Sequence, residues 1–256
     1  MSTLFDLPIQ FHLSWWEWAI AFFAIALIGV SKSGIKGIGV IIVTLLALVF
    51  GSKASTGILL PLLSVGDILA VIYYNRHTQW KYIFRLLPWM LIGILIGTYV
   101  GKDLPEYLFK RGMAIIILLT VAMMYWWDKN KDRIEIPDNW WFAGLMGLAA
   151  GFTTMIGNLA GAFSNIFFLA MRLPKNQFIG TAAWLFLFIN LFKLPFHFYI
   201  WETISLDTLS LNLRVFPIVI LGFIGGFQLV QLIKEEQYRK MILLLTAFGA
   251  LMIFFR

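Results

Sequence analysis

Ten apolar segments follow one another along this chain, and they set the terms of any fold. They run over about 15–31, 35–50, 55–74, 82–101 and 107–127 in the first half. In the second half they run over 139–156, 157–171, 178–200, 212–232 and 238–255. Only 13% of the 256 residues are charged and 61% are hydrophobic, whereas a soluble domain carries about a quarter charged. Most of the surface must therefore meet lipid. In lipid every backbone polar group has to be satisfied internally, so the fold class expected is all-α. Trp15, Trp16 and Trp18, Tyr73 and Tyr74, Trp126 and Trp127, and Trp140 and Trp141 fall at segment ends, where an aromatic belt meets the membrane interface.

Two polar, glycine-rich breaks interrupt this apolar sequence. The first is Ser31-Lys32-Ser33-Gly34-Ile35-Lys36-Gly37-Ile38-Gly39, headed by Gly29. The second is Thr153-Thr154-Met155-Ile156-Gly157-Asn158-Leu159-Ala160-Gly161, headed by Gly151. The segments that follow, the second and seventh, hold fifteen or sixteen residues and span about 23 Å as helix, short of the roughly 30 Å hydrocarbon core. They are either tilted crossings or half-helices in re-entrant hairpins, and the breaks before them favour half-helices.

The halves repeat. Lys53 matches Lys175, Asp67 matches Asn190, and Arg85-Leu86-Leu87-Pro88 matches Arg214-Val215-Phe216-Pro217. Gly93 and Gly97 match Gly222 and Gly226, and Lys234-Glu235-Glu236 echoes the charged turn from Lys102 to Glu106. Five segments per half is odd, so the second half enters from the opposite side: a polytopic transmembrane protein of two inverted repeats. The repeats are assigned to residues 1–127 and 139–256, with the hydrophilic stretch 128–138 as a cytoplasmic linker. The kinks expected at Pro88 and Pro217 belong to this architecture, and the GxxxG spacings pack helices closely, within the halves or between subunits of a homodimer.

Positive charge orients the chain. Arg76, Lys81, Arg85, Lys129, Lys131, Arg133, Arg172, Lys175, Lys234, Arg239 and Lys240 fall on one set of loops. Lys53, Lys102, Lys110, Arg111, Arg214 and Arg256 fall on the other. The richer set is cytoplasmic, which puts both termini outside. Asp6 and His12, with no basic n-region, precede the first apolar run, so no cleaved signal peptide is expected. The formal charge of +7 is too modest to imply nucleic acid. With no cysteine, disulfides and thiol chemistry are excluded.

The candidate site follows from the breaks. Helix N-termini carry unpaired N–H groups and partial positive charge, and glycine lets an anion approach them. Backbone N–H groups near Gly34, Gly37, Gly157 and Gly161 would be the donors. The hydroxyls of Ser31, Ser33, Thr153 and Thr154, the amide of Asn158, and the charge of Lys32 or Lys36 would join them. The competing reading makes both stretches surface loops with snorkelling lysines. Asp67 lies inside an apolar segment, where a carboxylate is costly; it is either a proton carrier or an ion-pair partner of Lys32 or Lys36. Lys193 and His197 share a helix face with Asn190. Lys193 is read as lining the same cavity, and His197 as a polar residue at the interface. Arg76 and His77 read as loop residues. There is no HExxH, GxSxG or P-loop motif and no cluster of metal-ligand type, so an enzyme is disfavoured and no cofactor or metal is expected.

The order of these features resembles the TauE/SafE family of sulfite and organosulfonate exporters. The resemblance spans nearly the whole chain. It rests on Lys32-Ser33-Gly34-Ile35-Lys36-Gly37-Ile38-Gly39, on Gly157-Asn158-Leu159-Ala160-Gly161, on Lys53-Ala54, and on the Leu-Pro-x4-Gly-x3-Gly run of the fourth segment. Where the family has runs of consecutive glycines, this chain has Gly-Ile-Gly and Leu-Ala-Gly. The resemblance implies export of a small sulfur-containing or other organic anion through a bacterial-type inner membrane. Alternating access around a midplane site is the expected mechanism. The alternative is an anion channel or uniporter, or less readily an intramembrane enzyme.

Overall fold

The structure, a computed structural model, describes residues 13–130, 139–234 and 237. Among the described residues there is no strand. The described residues form nine α-helices: α1 (Trp15–Lys32), α2 (Gly39–Phe50), α3 (Ser52–Tyr74), α4 (Trp80–Gly101), α5 (Glu106–Asn130), α6 (Trp140–Gly157), α7 (Ala160–Ala170), α8 (Lys175–Tyr199) and α9 (Leu206–Leu232). A 3-10 turn, Asn75–His77, follows α3, and Arg76 and His77 are exposed on it. Six helices (α1, α3, α4, α6, α8 and α9) are long and apolar enough to cross a membrane. Large apolar side chains such as Phe23, Ile92, Leu145, Leu213 and Leu221 face outward on them, as a lipid solvent permits. The expected tenth segment lies outside the described residues, as do 131–138 of the expected linker; α5 itself runs on through Asp128–Asn130.

Local sequence explains where the helices start and stop. Ser14, in extended backbone, opens α1, and its N–H and hydroxyl both donate to the Glu17 carboxylate. The chain leaves α1 through Gly34 and Gly37, both at positive φ, a region that side chains disfavour. α6 ends on Asn158 at φ 56°, whose N–H bonds back to the Thr154 carbonyl; asparagine is the usual substitute for glycine at such a left-handed cap. The helices that follow the breaks, α2 and α7, have 12 and 11 residues. That is about 17–18 Å of rise, well short of a crossing.

The packing pairs α1 with α9 and α4 with α6, while α3 runs against α8. Glycine makes the first two pairings close. A side chain at Gly29 would strike the backbone of Val219, Gly222 and Phe223, and one at Gly93 would strike the backbone of Leu148, Gly151 and Phe152. The GxxxG pairs thus join the two halves of one chain. Lys53 and Lys175 also act alike. Lys53 Nζ donates to the Lys102 carbonyl just past α4, at 2.8 Å. Lys175 Nζ donates to the Val230 and Ile233 carbonyls at the end of α9, at 3.1 and 2.8 Å. Each places a cation where a helix dipole is negative.

Candidate functional site

The two breaks open onto one cavity. It has a volume of about 80 Å³, far above the roughly 10–15 Å³ one water requires, so an anion of several heavy atoms fits. Gly37, Gly39 and Val40 bring the start of α2 to its wall, and Leu159, Ala160 and Gly161 bring the start of α7. Both helix N-termini therefore face the same space. Leu59 and Leu63 of α3 and Phe186, Ile189 and Asn190 of α8 close it.

Eight of the expected site residues stand in the wall: Ser31, Lys32, Lys36, Gly37, Thr154, Asn158, Gly161 and Asn190. Asp67 and Lys193 stand directly behind. Lys32 Nζ lies 2.6 Å from Asp67 Oδ1, and Asn190 Nδ2 donates to Asp67 Oδ2 at 2.7 Å. Lys193 Nζ donates to Asn158 Oδ1 at 2.6 Å, to Thr154 Oγ1 at 3.0 Å and to the Thr154 carbonyl at 3.1 Å. Of the two readings of Asp67, the ion pair with Lys32 is the contact the fold contains.

Four expected residues stand elsewhere. Ser33 is fully buried: its hydroxyl donates to the Val30 carbonyl, and its own carbonyl accepts from Tyr74 Oη at 2.9 Å. Gly34 packs against Ile179 and Val230. Thr153 turns its hydroxyl back onto the Ala149 carbonyl at 2.7 Å, within its own helix. Gly157 faces Leu159 and Met113. The Asn158 amide nitrogen is likewise engaged, donating to the Thr56 carbonyl at 3.1 Å. The breaks are also offset along α3. One ties to Asp67 and the other to Thr56, eleven residues apart, which is about 16 Å of helix rise. The cavity lies along this offset.

His197, expected at the interface, is 0% exposed. Its Nδ1 meets Thr203 Oγ1 at 2.8 Å and its ring meets Trp201 edge-on. The last turn of α8 is covered by the chain that folds back from Trp201 to Ile204; the N–H of Trp201 donates to the Phe196 carbonyl, and those of Thr203 and Ile204 donate to the His197 carbonyl.

Charge is unevenly matched here. Lys32, Lys36 and Lys193 are all buried at or behind the wall, and among the described residues Asp67 is the carboxylate buried with them. Formally that is an excess of two positive charges in a site shielded from water, where Coulomb forces are strong. Lys32 has Asp67, and Lys193 has its three acceptors. Lys36 is 4% exposed, and its Nζ lies 5.6 Å from the centre of the Phe186 ring. Among the described residues that Nζ makes no ion pair or hydrogen bond. Lys32 Nζ lies over the same ring at 5.0 Å, so Phe186 gives both cations a π face.

Phe186 and Asn165 are among the wall residues that were not anticipated. Phe186 is one of 24 phenylalanines, and no local pattern distinguishes it. Asn165 did carry a signal: an amide within the apolar run of α7, comparable to Asn190 in α8.

Six helices long and apolar enough to cross a membrane, two helices too short to do so, and a buried cavity lined by lysines between them mark a multi-pass membrane protein. The model of the family "Sulfite exporter TauE/SafE" matches residues 21–253, and the chain belongs to that family. No curated protein and no solved structure matches it.

Proposed function

We propose that this chain exports a small anion, sulfite or an organosulfonate, by alternating access between two inverted repeats around this cavity. The observation that carries the reading is Lys36: a buried side chain on the cavity wall with a ring beneath its Nζ and no hydrogen bond or ion pair to that Nζ among the described residues. An isolated charge in such a place is costly, and a bound anion supplies what is missing. The N-termini of α2 and α7 add backbone donors and partial positive charge from two directions.

The helix pairing supports the repeat. If α1 corresponds to α6 and α4 to α9, exchanging the halves turns the α1–α9 contact into the α6–α4 contact. Asp67 and Asn190, matched in sequence, hydrogen-bond to each other. Mates related by a twofold axis touch only where that axis passes, so this pair suits a midplane axis. Rocking one half against the other would then expose the cavity to each side in turn. An inside-negative potential favours exit of an anion by about 2.3 kcal/mol per charge per 100 mV, so export needs no coupled ion. A proton on Asp67 would add coupling to that scheme.

Purified protein in liposomes tests the reading. Labelled sulfite or organosulfonate should exchange against unlabelled anion on the opposite side, saturably and without unitary currents. Unitary anion currents in place of exchange would establish the channel, and release of a chemically altered product would establish an enzyme.

A further inference from the structure

We propose that a groove between α2 and α5 holds an acidic phospholipid, with its phosphodiester on Lys110 and Arg111 and acyl chain along α2. The inference is independent of which solute the central cavity carries. The groove has a volume of about 800 Å³. α5 packs on α3, α6 and α7, and the space between it and α2 is left open. The lining is graded from polar to apolar. Lys110 and Arg111 stand near the start of α5, just past the turn that follows the spanning helix α4. Lys110 is about 6 Å of helix rise from Glu106, the depth of a headgroup layer. Beyond them come Met113 and Ala114, with Ala47 and Leu48 of α2 on the other side. Thr44 of α2 lines the groove too, and its hydroxyl is already given to the Val40 carbonyl at 2.8 Å.

Charge decides the occupant. Lys110 and Arg111 are exposed, and among the described residues neither has an ion pair. Glu106 lines the same groove, but its carboxylate is engaged elsewhere. It accepts from the Ser52 N–H at 2.6 Å and the Lys53 N–H at 3.2 Å, where it complements the positive end of α3. A second copy of this chain, docked face to face, would bring the same two cations against themselves. The stretch 238–256 holds Arg239, Lys240 and Arg256 and no acidic residue, so it brings no counter-charge. An acidic phospholipid matches both ends of the groove. Its phosphodiester suits the paired donors of a guanidinium, and its chain covers the apolar part. A zwitterionic lipid offers the same phosphate with an ammonium beside it, which the two cations repel.

The test is lipid binding to the purified full chain in an uncharged detergent, counted by native mass spectrometry. The probes are phosphatidylglycerol and phosphatidylcholine with the same palmitoyl and oleoyl chains, and glycerol 3-phosphate as a headgroup without chains. The wild type should bind phosphatidylglycerol saturably, about tenfold or more tighter than phosphatidylcholine, since each basic side chain near the surface adds to the attraction. Lys110→Gln with Arg111→Gln should bring the two lipids to equal affinity, and the exposure of both side chains keeps the fold intact. Arg76→Gln with Lys81→Gln removes the same charge beyond the other end of α3, from two exposed positions, and should leave the preference as it is. Equal affinity of the wild type for the two lipids overturns the proposal. So does a preference that survives the first pair of substitutions, or one that falls as far with the second pair. Displacement of phosphatidylglycerol by an equal concentration of glycerol 3-phosphate would overturn it as well, and would assign the site to a soluble phosphate ester.

Discussion

Removing the Asp67 carboxylate while keeping its shape isolates the electrostatics of the site. In Asp67→Asn the side-chain volume is nearly unchanged, and the new amide can still accept from Asn190. What is lost is the negative charge facing Lys32 at 2.6 Å. The Lys32 side chain is 8% exposed and that of Asp67 0%, so water cannot take over the role. Breaking such a buried pair by removing one partner costs about 3–5 kcal/mol; an exposed pair would cost under about 1 kcal/mol. Denaturant unfolding in micelles should therefore show a loss in the larger range. Lys32→Met combined with Asp67→Leu removes both charges and should recover most of it. The formal excess of positive charge also rises from two to three in Asp67→Asn, so saturating sulfite should stabilise this variant more than the wild type. A loss below about 1 kcal/mol, or a double variant as unstable as the two single losses added together, would refute the argument.

Three further outcomes follow from the packing. Gly222→Ala puts a methyl group against the Ala26 backbone and should cost about 1–3 kcal/mol or more, whereas Gly225→Ala, with open space at that position, should leave thermal unfolding unchanged. Lys193→Met leaves Asn158 Oδ1 and Thr154 Oγ1 without the ammonium donor. It should destabilise by about 1–3 kcal/mol and increase solvent exchange of the α6 C-terminal amides, measurable by hydrogen exchange. Lys175→Gln removes an ammonium from two carbonyls at the end of α9 and should cost about 1 kcal/mol, read as a fall in unfolding midpoint.

Much of the framework was legible because membrane helices are written in long apolar runs. The starts of the two short helices α2 and α7 were legible because Gly34, Gly37 and Asn158 end their predecessors by backbone conformation, a local property. The matched positions Gly29 and Gly151, or Lys53 and Lys175, could be paired from the sequence, but their partners on α9 and α4 depend on how distant helices cross. For the same reason the sequence could not separate Lys32 from Lys36. Both are lysines in one break, and only the depth at which Asp67 meets that break gives one of them a carboxylate and leaves the other without. Ser33 and Thr153 misled because a hydroxyl can satisfy itself on its own helix, as both do. Phe186 was invisible, since its role comes from lying under two ammonium groups brought from another segment.

Lys36 is the most direct point of attack on the whole account. Binding of ³⁵S-labelled sulfite to purified protein in detergent, measured for the wild type and for Lys36→Met, asks whether the unpaired ammonium is what holds the anion. A buried charge-assisted hydrogen bond is worth about 1.5–3 kcal/mol, so affinity should fall by about ten- to a hundredfold while the folded fraction is unchanged. Sulfite binding of equal affinity in the two proteins would contradict the assignment of this cavity as the anion site.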